Sequence, residues 1–488
     1  MKDSNTYKQA FWFTIINYLG VIIGAGSTVF IYPYDKEFLG IVRYVDSMAQ
    51  LLFPIMIFGG AQALIHFYPS LSEDNKRQLF KYGMTTILLV SLVILMLLVL
   101  ANAFIDWENF KYLFYAFPIG FVLAFVELFK RQATNIEKLE IPTFYEKIIP
   151  KIALPLVFLL LIAGYFNVAN ALWVFIGSYF VLLLLSLKYL LKHYKLNTSF
   201  NFKSLFSEIP KREYYKYSFY SFLGSFASLL AFRIDTFMIP EFLSFEANGT
   251  FSIGVSLATT LAIPASGIFA IYAPKISYYL KNDGLDELGK KYIETAKLLF
   301  FVGAILYSSV VLGIDSFFQM LPTYDKLMDS IPVIILLGAN VLINMSTGFN
   351  SEIILFSKYY KFNIVLVVIL ATLNIVLNLY FLTQTDLGIM GVAYASLIAM
   401  LSFNASKLFF IYKKFGILPF DKHYLKLFLM VCVVFFVCYL IPENSNIVYN
   451  LLLKVGLNVG MIIFITYKMA WVYSLNLWVD KLIKPDKQ

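Results

Sequence analysis

Long apolar runs separated by short polar gaps dominate the chain. A helix needs about 20 residues to cross about 30 Å of hydrocarbon. On that scale the runs predict spans at 11–33, 43–66, 80–104, 111–130, 148–166, 169–189, 217–240, 249–273, 296–317, 329–355, 362–382, 388–412, 424–441 and 446–468. The predicted fold class is an all-α integral membrane protein with fourteen transmembrane helices. An even count puts both termini on one side. The first run follows Lys2 and Lys8 but is too long for a signal-peptide core and lacks a cleavage site, so it is expected to stay as the first span.

Charge then fixes the orientation. Of 39 Lys and Arg residues, 33 fall in alternate gaps or the run ends beside them, four (Lys36, Arg43, Lys111, Lys326) fall on the opposite side, and two (Arg233, Lys454) lie deeper inside runs. By the positive-inside rule the basic gaps and both termini are cytoplasmic, in a multi-pass protein of a bacterial inner membrane. Acids such as Asp35, Glu37, Glu241, Glu246 and Glu443 collect on the outer side. Composition agrees: 60% of residues are hydrophobic and 14% charged, far from soluble-domain usage. The net charge of +9 is spread over loops rather than gathered into a stripe with aromatics. It is explained by topology and by anionic headgroups, and no nucleic-acid partner is expected.

The same reading excludes several chemistries. Cys432 and Cys438 point about 240° apart on a helix, so no disulfide joins them. His66, His193 and His423 lack ligand spacing, and no metal is expected. No GxxxxGK[ST] or GxSxG occurs, and no cytoplasmic stretch is large enough for a nucleotide-binding domain. The chain is therefore expected to be a non-enzyme without cofactors.

The gap at 188–216 carries seven basic residues and splits the first twelve spans six and six. It predicts an N-lobe at 1–200, a C-lobe at 201–420, and two accessory helices with a cytoplasmic tail at 421–488. Its lysines are read as a solvated interlobe linker against headgroups. The stretch IYPYDKEFLGIVRYVDSM, leading to IHFYPSL, is echoed by FMIPEFLSFEANGTFSIGVSL, leading to IYAPKIS. Two six-helix units of parallel topology would be related by a pseudo-two-fold axis along the membrane normal, with a cavity between them.

Polar residues inside the spans mark candidate sites, because side-chain charge at mid-bilayer costs about 2.5–3.5 kcal/mol. Stripes at three- and four-residue steps hold Thr28 with Asn17, Gly20 and Gly24; Arg43 with Ser47, Gln50 and Pro54; Ser228 with Ser218, Ser221, Ser225 and Asp235; and Asn340 with Asn344, Thr347 and Ser351. Small residues also serve close helix packing, and Gly20 with Gly24 forms a GxxxG of that kind. The amides of the tenth span are expected to face a hydrated cavity. Arg233 lies about 10 Å inward of Pro240, with Asp235 a candidate counter-ion. With Arg43 it offers guanidinium forks suited to phosphate oxygens. Glu127 lies three and four residues before Lys130 and Arg131, which predicts a local ion pair. Lys130, Lys151 (one turn from Lys147) and Lys275 form an expected inner rim. Lys454 is expected either in a lipid groove or reaching outward.

The segment LNIVLNLYFLTQTDLGIMGVAYASLIAML, with Asn374, Asn378, Gly388, Gly391, Ala393 and Ala395, resembles the eleventh and twelfth helices of polysaccharide repeat-unit flippases of the multidrug/oligosaccharidyl-lipid/polysaccharide exporter superfamily. Pro33–Gly40, Gly59–Pro69 and RIDTFMIP at Arg233–Pro240 are similar to the same family. The resemblance implies alternating access between two lobes that flips an undecaprenyl-pyrophosphate-linked oligosaccharide, an O-antigen, exopolysaccharide or capsule repeat unit. It implies membrane lipids and polysaccharide polymerase machinery as partners and a monomeric carrier. Related lipid II flippases also have fourteen helices but carry a cationic first helix, whereas 11–34 here has no charge. Cation-coupled multidrug exporters, the other alternative, have twelve helices and an acidic first one.

Overall fold

In hydrocarbon no water can satisfy backbone N–H and C=O groups, so spanning segments must close their hydrogen bonds within helices. The structure, a computed structural model, describes residues 19–197, 199–282 and 284–483. Asn17 and the start of the first expected span lie outside them. Every regular element among the described residues is helical. The chain packs as two compact units, 1–252 and 253–488.

The first unit holds α1 (Leu19–Phe30), α2 (Lys36–Ile57), α3 (Gly60–Phe67), α4 (Glu73–Ala101), α5 (Lys111–Asn135), α6 (Glu140–Ile162), α7 (Val168–His193), α8 (Lys203–Glu208), α9 (Lys211–Phe242) and the first half of α10 (Phe245–Thr260). The second holds the rest of α10, then α11 (Ile263–Lys281), α12 (Leu285–Gln319), the single turn α13 (Tyr324–Leu327), α14 (Ile331–Ser346), α15 (Asn350–Phe356), α16 (Tyr360–Gln384), α17 (Ile389–Phe415), α18 (Lys422–Tyr439), α19 (Ile447–Met469) and α20 (Tyr473–Ile483).

Each expected span falls on one of these helices or on a broken pair. Eleven described helices are long and apolar enough to cross a membrane, and α10 with α11, bent by 47°, supplies a twelfth. The shorter α1 and the lysine-bearing α6 match the first and fifth expected spans. Three spans that read as continuous are interrupted. The second breaks where Phe58 (φ 43°) and Gly59 (φ 71°) turn left-handed, with the Phe58 N–H capping the Pro54 carbonyl at 2.8 Å. The eighth bends between α10 and α11, and the tenth breaks at Gly348 (φ 65°).

The basic linker is docked rather than free. Ser204 Oγ donates to Asn75 Oδ1 and to Gln78 Oε1, each at 3.0 Å, and Leu205 is fully buried. Glu208 accepts from the Ser72 hydroxyl (2.7 Å) and N–H (3.0 Å) at the start of α4. Those two bonds hold its carboxyl below the usual carboxylate range.

Helices α2 and α9 define a seam held at both ends by backbone contact. A Cβ on Gly40 would lie 1.8 Å from the Phe245 carbonyl oxygen, and one on Gly249 would lie 1.9 Å from that of Lys36. These glycines are the ones paired by the sequence echo. At the other end a Cβ on Gly59 would lie 2.0 Å from Ser218 O. Ser47 and Thr236 share a hydrogen bond between these ends, and Asn248 Nδ2 donates to Gly40 O at 2.9 Å. Glu241 at the end of α9 accepts from Tyr44, from Trp107 Nε1 (2.8 Å) and from Asn109 Nδ2 (3.1 Å).

In the second unit α19 lies along α12. Gly313 admits Leu451 and Val455, and Asn458 Nδ2 donates to Ser308 Oγ at 2.7 Å. Asp421 caps α18 by accepting the Tyr424 N–H at 2.7 Å and pairs with Lys297 at 2.9 Å. Burial acts to raise its pKa, but the hydrogen bonds from Lys297 and Tyr424 outweigh that and hold the carboxyl below its ordinary range.

Two tests follow from this packing. Gly40→Ala and Gly249→Ala are each expected to destabilise the protein by about 2 kcal/mol or more through overpacking, whereas Gly24→Ala, with nothing within 4 Å, leaves the melting midpoint unchanged in scanning fluorimetry of detergent-purified protein. Asp421→Ala is expected to cost about 1 kcal/mol from the lost cap, and Asp421→Asn less. The stabilisation that the Asp421 charge contributes is full above its unfolded pKa and is lost as pH falls through the lower folded value, so acid titration of the midpoint should separate wild type from Asp421→Asn.

Candidate functional site

The first unit gathers most of the expected charged residues. Arg43 and Asp46 stand one turn apart on α2, and Gln50 Nε2 donates to Asp46 Oδ2 at 2.9 Å. Across the seam Arg233 NH1 lies 3.7 Å from the same Asp46 oxygen. Arg233 thus points toward α2 and meets an acid that sequence reasoning passed over. Asp46 is legible in the sequence, since it sits three residues after Arg43 and four before Gln50, beside the stripe through Ser47. Asp235 is half-buried on α9. On α7 the buried Tyr179 lies in the fields of Asp46, Arg43, Arg233 and Glu146, which places these groups in one polar region.

Lys151 on α6 joins this region and is electrostatically coupled to Lys147 and Arg43. Its Nζ lies 3.0 Å from where a Cβ on Gly20 would sit. Gly20 therefore makes room for a cation, and Gly24 has nothing within 4 Å, so the GxxxG of α1 is not a tight helix-packing seam among the described residues. Arg43, Lys147 and Lys151 have no carboxylate within ion-pairing distance among the described residues. Such a group repels itself and attracts an anion. Thr28 is buried and donates to its own helix at Gly24 O, 2.8 Å.

Lys130, expected at the inner rim, is instead matched by Glu127 (2.9 Å) and Glu146 (3.0 Å). Glu127 also pairs with Arg131 at 2.7 Å, as the spacing predicts. Next to these groups, at the break between α2 and α3, lies a cavity of about 280 Å³ lined by Gln62, Glu127, Arg131, Ser225, Ser228 and apolar neighbours. Ser228 is thus at a cavity wall. Gln62 was missed because the second span reads as one straight helix, and Arg131 was legible as the Glu127 partner but not as a wall of this cavity.

In the second unit the tenth-span stripe is divided by the break at Gly348. Asn340 keeps a buried Oδ1 with no hydrogen-bond partner among the described residues. The Asn344 carbonyl accepts from Thr347 Oγ1 at 2.9 Å. Thr347 in turn accepts from Asn350 Nδ2 (2.9 Å) and donates to Asn404 Oδ1 (3.3 Å). Beside them Lys407, 2% exposed, donates to Ser351 Oγ at 2.6 Å and lies over the Phe403 ring at 3.6 Å. Lys407 lies inside α17, and its place within the expected span at 388–412 is the signal that marks it. Asn374 and Asn378, which carry the family resemblance, are buried along one face of α16.

Lys275 is exposed and lines a cavity of about 370 Å³ with Tyr272, Tyr278, Tyr279 and Lys291. Lys454 is buried on a stripe with Asn450 and Asn458 and pairs with Glu443, in the loop that precedes α19, at 2.9 Å. It reaches out along its helix, the second of the two expected placements. Among the described residues no group of three or more His, Cys, Asp or Glu side chains could hold a metal.

No family model matches the sequence, and no curated protein matches it. Solved structures do. The chain is similar to the lipid II flippase MurJ in an inward closed conformation, with TM-score 0.71 and 15% identity over 94% of this chain and 98% of that one. It is also similar to a multidrug resistance MATE family transporter of the MOP superfamily in an inward-facing conformation, with TM-score 0.64 and 12% identity over 83% and 98%. At these identities the likeness is one of fold. The protein is a multi-pass, all-helical membrane protein with the fold of MOP-superfamily flippases and transporters, and the structures it matches are transporters rather than enzymes.

Asp46→Ala leaves Arg233 unmatched and is expected to cost about 1–2 kcal/mol, reduced from a fully buried pair because Arg233 is 37% exposed. In a double-mutant cycle, Asp46→Ala with Arg233→Ala should recover part of that loss. Additive midpoints in scanning fluorimetry would show that the two groups do not interact.

Proposed function

We propose that the protein flips a lipid-linked oligosaccharide, carried on undecaprenyl pyrophosphate, from the cytoplasmic to the outer leaflet of a bacterial inner membrane. The observation that carries the reading is the group of Arg43, Lys147 and Lys151, three cations on α2 and α6 without a carboxylate partner among the described residues. A diphosphate supplies the missing counter-charge, and the Arg43 fork suits its oxygens. The fold likeness to a lipid II flippase supports a lipid-linked cargo. That likeness extends over 94% of the chain against 83% for the MATE transporter, as expected if the last two helices have counterparts in a fourteen-helix fold.

The cargo's charge is held by Arg43, Lys147 and Lys151, with Arg233 nearby at the seam. Its sugars occupy hydrated space lined by amides and hydroxyls such as Gln62, Ser225 and Ser228, and its prenyl chain stays in lipid. Alternating access between a 1–200 lobe and a 201–420 lobe then exposes the glycan outward. Moving negative charge out of a negative interior is favoured by about 2.3 kcal/mol per charge per 100 mV, so the membrane potential biases the direction. Delivery on the outer face matches a role feeding polysaccharide polymerase machinery.

The uncharged stretch 11–34 favours an O-antigen, exopolysaccharide or capsule repeat unit over lipid II. Deleting the gene is expected to raise undecaprenyl-linked oligosaccharide intermediates and remove surface polysaccharide. Arg43→Ala with Lys151→Ala is expected to reproduce that phenotype with normal membrane expression, and Arg233→Ala to weaken export. Depletion of cell-wall precursor export would point to lipid II instead. Raised drug sensitivity with normal glycans would point to a cation-coupled exporter.

A further inference from the structure

A third cavity lies away from the charged seam, where the docked linker meets α4 and α9. Its volume is about 470 Å³, and its walls include Tyr82, Lys203, Phe206, Ser207, Lys211 and Tyr215. Two exposed lysines, a hydroxyl and a wall of rings line it. The Tyr82 and Tyr215 hydroxyls hydrogen-bond to each other, closing one side, and Lys211 lies over the Phe206 ring at 5.3 Å. The adjacent acid, Glu208, is turned away and occupied by Ser72. The lining is therefore cationic.

Outward from the cavity the same helix faces are bare and apolar. Tyr82 continues along α4, in steps of three and four residues, to Leu89 (58% exposed), Val93 and Met96, the stripe a helix presents on one side. Tyr215 continues on α9 to the exposed Phe219. Leu89 lies about 10 Å from Tyr82 at 1.5 Å per residue. A cationic chamber therefore opens onto an apolar track about one headgroup's depth away. That combination matches a molecule with an anionic head and long acyl chains.

We propose that this cavity binds the phosphate headgroup of an anionic membrane phospholipid, whose chains run along the Leu89–Met96 face and which pins the linker to α4 and α9. Lys203 and Lys211 supply the charge, the rings form the interfacial collar in which aromatic side chains are favoured, and Ser207 offers a hydroxyl to a phosphate oxygen. The site is separate from the transport reading and stands without it.

The test is native mass spectrometry of the purified full chain titrated with phosphatidylglycerol or phosphatidylcholine. Wild type is expected to retain phosphatidylglycerol preferentially, and Lys203→Gln with Lys211→Gln to weaken that retention by about fivefold per lysine, with phosphatidylcholine unchanged. Lys192→Gln with Lys195→Gln, which alters the same linker outside the cavity, is expected to leave retention as in wild type. Equal retention of the two lipids by wild type, unchanged phosphatidylglycerol retention in the first variant, or an equal loss in the second would each overturn the proposal. So would loss of added undecaprenyl diphosphate with phosphatidylglycerol unaffected, which would give the cavity to the transported lipid.

Discussion

The contact on which the first unit depends is the backbone approach of α2 to the end of α9 and the start of α10. Two glycines from the echoed segments, Gly40 and Gly249, let chain atoms meet where any Cβ would collide with a carbonyl. At that distance the side chains along the seam are in register: Ser47 reaches Thr236, Arg233 reaches Asp46, and Glu241 collects three donors. Packing this close is a feature of interfaces built from small residues in membranes, where burial against lipid supplies little driving force. The seam is also polar, and the proposed alternating access needs a contact whose hydrogen bonds water can replace.

Charge is distributed by the same economy. An ion removed from water is tolerated when it is paired and hydrogen-bonded, and most ions in the spans are: Lys130 with Glu127 and Glu146, Arg233 with Asp46, Lys454 with Glu443. Lys407 has a hydroxyl and a ring face. Arg43, Lys147 and Lys151 stand apart because none of them has a carboxylate within ion-pairing distance among the described residues, while Lys151 lies in the fields of the other two. A cationic surplus of this kind is costly in the empty protein, and the proposed anionic cargo would offset it. The contrast between matched and unmatched cations separates residues that hold the fold from residues proposed to hold a substrate.

The sequence made much of this legible, and its failures have physical causes. Hydropathy located the apolar helical segments because lipid imposes a length and an all-helical solution. It did not locate the breaks at Phe58–Gly59, after Thr260 and at Gly348, since a break inside an apolar run leaves mean polarity unchanged. Arg43, Arg233 and Lys151 stood out as cations among apolar residues, and the structure places them in one region. Asp46 and Gln62 were hidden because their roles depend on which helix faces which, and periodicity along one helix carries no such information. Lys130 and Lys454 were visible as charges, but their partners, Glu146 and Glu443, come from other segments.

The account rests on Arg43, Lys147 and Lys151 awaiting a diphosphate. Its most direct measurement is equilibrium binding of undecaprenyl pyrophosphate and of uncharged undecaprenol to the purified protein, in wild type and in Arg43→Gln with Lys151→Gln. The account predicts that wild type prefers the pyrophosphate strongly, that this preference falls with rising ionic strength, and that the double variant loses it while binding of undecaprenol stays the same. Equal affinity for the two lipids in wild type, or an undiminished preference in the variant, would contradict it.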